Sequence, residues 1–148
     1  MIWNDPKCAP VIDALGPAFE CPERGSVFSL ECARCNGWGQ VWGLWERSHK
    51  GEKICHPAPD FLVGCILAEF AREWLAERRS AVVLVGGDHY VVSCNSPEAG
   101  MGFLCECGKF HFFGDKPCGS DPREFALDEY PLALAEGMLA FLREEGKR

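Results

Sequence analysis

The apolar and polar positions of the chain fall into a series of short periodic runs. From Ser26 to Glu31, Val27, Ser29 and Glu31 alternate with Phe28 and Leu30, which predicts a strand. Gln40 to Trp45 reads as its returning strand, and Glu46 to Pro59 as a polar loop. Asp60 to Arg79 carries the clearest helical pattern. Val63, Ile66, Leu67, Phe70, Ala71 and Trp74 recur at three- and four-residue spacing, while Glu69, Arg72, Glu73 and Glu77 take the other face. Asp60 is placed to cap this helix, and Arg78 and Arg79 suit its negative C-terminal end.

Beyond it, Ala81–Val85, the turn Gly86-Gly87-Asp88 and Tyr90–Val92 predict a hairpin, because glycines supply the positive φ of a tight turn. Gly102–Cys105 and Phe110–Phe113 predict two further strands around Cys105-Glu106-Cys107-Gly108. A second helix covers about Glu129 to Glu145, with Leu132, Ala135, Leu139 and Leu142 as its buried stripe. The first 25 residues hold Pro6, Pro10, Pro17 and Pro22. They read as an irregular wrap with at most a short helix around Val11 to Leu15. The expected fold is α+β, with antiparallel β-hairpins packed on two helices and a zinc-knuckle or zinc-ribbon-like element, in one domain over residues 1–148.

Cysteine changes this picture most. Ten cysteines occur in 148 residues. The start, Met1-Ile2-Trp3-Asn4-Asp5-Pro6, lacks the charged-then-apolar pattern of a signal peptide, and the longest apolar stretch, Phe61 to Leu67, is too short to span a bilayer. A cytoplasmic location follows as the expectation, and there closely spaced cysteines point to metal before disulfides. Cys32-x-x-Cys35-Asn36-Gly37 offers two thiolates across a turn that a following glycine permits, the geometry that grips one tetrahedral zinc. Cys105-x-Cys107-Gly108 has a similar form, one residue tighter. Each pair lies between two predicted strands, and the arrangement resembles the knuckles of zinc-ribbon proteins over about a dozen residues.

The expected Zn²⁺ site joins Cys32 and Cys35 to Cys105 and Cys107. A rival second pair is His49 and Cys55, with His56 able to replace Cys55, and two separate metal sites are a further alternative. Cys65 is expected in the core of the main helix, and Cys94 and Cys118 outside the site although able to reach a metal; His111 is expected as a strand histidine, with a fifth ligand as its alternative role. Cys8 and Cys21 form a weaker second pair.

The net charge of −7 argues against broad binding to a nucleic-acid backbone and suits a protein partner with a basic surface. Trp38, Trp42 and Trp45 with Arg34 and Arg47 are the candidate partner-binding residues; beside Lys50 and Lys53 they also raise a zinc-ribbon-like nucleic-acid-binding alternative. Asp88-His89 is read as turn chemistry before acid–base chemistry. No metalloprotease, deaminase, phosphate-loop or nucleophile-elbow motif occurs, and a zinc with four protein ligands has no open position for water. The expected function is that of a small non-enzymatic zinc-binding protein. It would act through protein–protein interaction, as a regulator or inhibitor (for example phage-encoded) of a larger host machine. A thiol-dependent enzyme pairing a spare cysteine with His56, His89 or His111 is the remaining alternative.

Overall fold

The structure is a computed structural model that describes residues 2–19, 28–32, 42–47, 53–57, 60–114 and 118–146, with segments 16–19, 28–32, 42–47 and 53–57 described as backbone. The chain divides into two compact units, residues 3–67 and 68–148, with the boundary inside one long helix.

The first unit opens with the 3-10 turns Ile2–Asn4 and Pro6–Cys8 and the helix α1, Ala9–Phe19. The Asp5 carboxylate accepts a hydrogen bond from the Lys7 backbone N–H at 3.0 Å and starts the second turn. Cys8, Val11 and Leu15 are buried at three- and four-residue spacing, with Trp3 also buried. An N-terminal helix of 11 residues therefore replaces the expected irregular wrap. Pro10 falls in the first turn, where its missing N–H costs nothing, and Pro17 is followed within two residues by the helix end.

Strands β1 (Phe28–Cys32), β2 (Trp42–Arg47) and β3 (Lys53–Pro57) form an antiparallel sheet in that order. The first two match the expected hairpin, with Cys32 opposite Trp42. The third lies in the stretch read as a loop. Its polar Lys53 and His56 hid a five-residue strand that pairs Cys55 with Trp45 and His56 with Leu44.

Helix α2 (Asp60–Glu77) runs as its periodicity predicts. Val63, Leu67, Ala71 and Leu75 are fully buried at four-residue steps. Cys65 lies off that stripe and is exposed, which corrects its expected core position. At the helix end Arg78 stacks 3.3 Å over Trp74 and donates to its carbonyl.

The second unit is a meander, β4 (Ser80–Val85), β5 (His89–Ser96), β6 (Gly100–Leu104) and β7 (Phe110–Phe112), paired antiparallel in chain order. Gly86 and Gly87, at φ +62° and +74°, make the β4–β5 turn that only glycine adopts freely. Helix α3, Tyr130–Gly146, packs on β4 and β5. The core joins Val92, Leu104, Phe125, Ala133 and Ala140, with Val82, Tyr90, Phe110 and Leu132 packed against it. All of Ala133 to Ala140 is buried, wider than the stripe expected from sequence. That run includes Glu136, whose carboxylate lies 3.6 Å from the Arg123 guanidinium. The architecture is α+β, with two antiparallel sheets and three α-helices among the described residues. No described helix is long and apolar enough to cross a membrane.

Candidate metal centre

The β6–β7 connection is a tight knuckle. The Cys105 N–H donates to the Lys109 carbonyl and the Gly108 N–H to the Cys105 carbonyl, both at 2.9 Å. Gly108 closes the turn at φ +88°, and a Cβ there would lie 3.1 Å from Arg143 Nη1 of α3. The turn carries Cys105 at its start and Cys107 near its tip. His111 follows on β7, opposite Phe103.

A return segment brings the fourth donor. Phe125 and Tyr90 exchange two backbone hydrogen bonds, at 2.8 and 2.9 Å, and Arg123 N–H donates to the Leu104 carbonyl at 2.9 Å. Glu106 N–H donates to the Asp121 carbonyl at 3.1 Å, and Cys105 forms an isolated bridge with Pro122. These bonds lay residues 118–125 along the sheet end and set Cys118 beside Cys105. The two Sγ atoms are 3.2 Å apart, and Cys107 Sγ is 3.1 Å from His111 Nε2. One donor atom from each of Cys105, Cys107, His111 and Cys118 lies within 4.8 Å of all the others. Zinc–sulfur bonds of about 2.3 Å in a tetrahedron give sulfur–sulfur edges of about 3.8 Å. A metal at the centre therefore needs the two short contacts to open by about half an ångström and separations near the 4.8 Å limit to close by about 1 Å.

The thiols differ electrically. Cys105 is 4% exposed, and its withdrawal from water pushes its thiol above the ordinary value. The backbone at Ser120, and then the Cys105 thiol, hold Cys118 below it. Cys105 and Cys118 thus form an unequal pair that shares hydrogen bonding, with Cys118 the readier thiolate. The Cys105 thiol also donates to the Asp121 carbonyl at 3.4 Å, so the return segment orients one candidate ligand and contributes another.

The structure therefore unites Cys105 and Cys107, but with His111 and Cys118 as neighbours. Sequence reasoning leaves Cys118 outside the site, as a thiol able to reach a metal but not expected to. It reads His111 first as a strand histidine and second as a fifth candidate ligand. The overlooked signal was the sum of the run, Cys105-x-Cys107-x3-His111-x6-Cys118, four soft donors within fourteen residues. Cys32 ends β1, and Cys55 and His56 lie on β3. Cys35, His49, Cys21, Trp38, Arg34 and Lys50 lie outside the described residues. Trp42, Trp45 and Arg47 lie on β2, with Trp42 opposite Cys32, Trp45 opposite Ser29 and Cys55, and Arg47 opposite Lys53. Cys8 and Cys94 are buried, and burial pushes the Cys94 thiol up. His89 contacts Asp88 through Nδ1 and Glu124 through Nε2 at 3.5 Å, linking the hairpin turn to the return segment.

Comparison of the chain with protein-family models, with curated proteins and with solved structures gives no match.

Proposed function

We propose that this protein is a non-enzymatic zinc module that acts by binding another protein. One observation carries the reading: three thiols and an imidazole converge within 4.8 Å at the end of a sheet. Soft sulfur donors with one imidazole favour Zn²⁺ over the oxygen-seeking Mg²⁺ and Ca²⁺. Four protein donors fill a tetrahedral ion and leave no position for a reacting water, so the ion is structural. It fastens the β6–β7 knuckle to the return segment and so fixes the open end of the sheet.

With its four donors supplied locally, this site has no need of the Cys32–Cys35 pair. We assign that pair to a second zinc, completed by His49 and either Cys55 or His56 within the first unit. Zinc thiolates suit a reducing compartment, the cytoplasm by our reading. The net charge of −7 suits a basic partner surface, as for a regulator or inhibitor of a larger machine. The test of the metal reading is native mass spectrometry of the purified chain, before and after Cys105→Ser with Cys118→Ser. Zinc content unchanged by that double substitution contradicts the assigned site. The test of the binding reading is crosslinking followed by affinity capture with the zinc-loaded chain. Recovery of no stoichiometric protein at low salt counts against it.

A further inference from the structure

We propose that β4 is a self-complementary docking edge through which two copies of this chain pair antiparallel into one continuous sheet. β4 ends the four-strand order and is hydrogen-bonded to β5 alone among the described strands. Its sequence, Ser80-Ala81-Val82-Val83-Leu84-Val85, contains no charge and no proline. Its register with β5 runs unbroken from Ser80 to Val85, without a bulge. Sheet edges are ordinarily protected by one of these devices, and β4 has none within the strand.

Ser80 is buried and Val82 packs on the core, but the last three residues of the strand are open. Val83, Leu84 and Val85 are 41%, 50% and 39% exposed. Side chains alternate along a strand, so Val83 and Val85 belong to one face and Leu84 to the other. Three consecutive large aliphatic residues beside an open backbone edge fit an added strand better than solvent.

The charges at the two ends select a second copy as the occupant. Arg78 and Arg79 precede the strand and Asp88 follows it, with Arg79 exposed and Asp88 78% exposed. A strand with a basic start and an acidic finish complements itself when reversed. A two-fold axis perpendicular to the sheet keeps faces matched only where paired residue numbers sum to an even value. Centred on Val83, that register sets Val82 opposite Leu84 and Ala81 opposite Val85, and brings Arg79, just before the strand, toward the Gly86-Gly87-Asp88 turn of the other copy. Both charged ends then meet their opposites twice, and no like charges face one another along the strand. A foreign strand of uniform charge would meet one favourable end and one unfavourable end.

The experiment is sedimentation velocity on the zinc-loaded full chain from about 1 to 100 µM. Twice the chain mass of 16.4 kDa is expected at the upper end. Val83→Lys places two ammonium groups across the axis and is expected to weaken the dimer by about tenfold or more, with zinc content and far-ultraviolet circular dichroism unchanged. Arg79→Glu and Asp88→Arg are each expected to weaken it, and the two together to restore it. That restoration keeps the test decisive should Val83→Lys not fold. A monomer at every concentration overturns the proposal. So does a dimer indifferent to Val83→Lys and to both charge reversals, which assigns dimerisation to another surface.

Discussion

Cys105 Sγ lies 3.2 Å from Cys118 Sγ, although thirteen positions separate the two residues in the chain. That approach converts a two-thiol knuckle into a four-donor set, and most of the chemistry expected of this protein follows from it.

Zinc stoichiometry separates the two proposed sites. The native chain is expected to bind two ions; Cys105→Ser with Cys118→Ser removes one, and Cys32→Ser with Cys35→Ser removes the other. If the second double substitution leaves the zinc count unchanged, Cys32 and Cys35 are not ligands. If it empties both sites, they share one ion with Cys105 and Cys107.

Without metal, the same contact becomes a redox liability. A disulfide needs sulfurs about 2.05 Å apart, a short closure from their present separation. Hydrogen peroxide is expected to join Cys105 to Cys118 in the metal-free chain, with loss of one hydrogen from each thiol. Zinc should suppress the reaction by occupying both sulfurs. Peptide mapping of oxidised samples prepared with and without zinc checks this. Equal yields in the two would mean that zinc does not engage these sulfurs.

Acid should release the metal. Thiolates bind zinc and thiols do not, and these thiols ordinarily deprotonate near pH 9. Protons therefore compete throughout the neutral range, and affinity falls as pH falls. Proton uptake by Cys105 and Cys118 alone brings the loss toward about a hundredfold per pH unit, moderated because the Cys118 thiol lies below the ordinary value. In the metal-free chain, timed iodoacetamide labelling near pH 8 should modify Cys118 ahead of Cys105. The reverse order would contradict the assigned environments.

Packing behind the ligands is tight at Gly102. A Cβ there would lie 2.6 Å from Phe112 Cδ1 and 2.7 Å from the His111 carbonyl oxygen. Gly102→Ala is expected to cost about 1 to 3 kcal/mol and to weaken zinc binding by displacing β7. Urea unfolding of the zinc-loaded protein measures the first effect and chelator competition the second. A variant with the native midpoint would show that β6 and β7 are not packed this closely.

The sequence by itself determined the elements whose causes are local. Gly86-Gly87 fixes the β4–β5 turn, the apolar spacing of Val63, Leu67 and Ala71 fixes α2, and Cys105-x-Cys107-Gly108 marks a tight turn that carries two thiols. Each depends on residues within a turn or two of one another. It missed β3, where lysine and histidine interrupt the apolar pattern, and the length of α1, where prolines stand at tolerated positions. The four-donor cluster, by contrast, follows only from the fold. Cys118 reaches Cys105 because backbone bonds to Tyr90, Leu104 and Glu106 return residues 118–125 to the sheet end. Those partners precede the segment by up to 35 positions, as Phe125 to Tyr90 shows. Spacing along the chain cannot encode a contact that depends on where a sheet ends, so the second half of the site was legible only after folding.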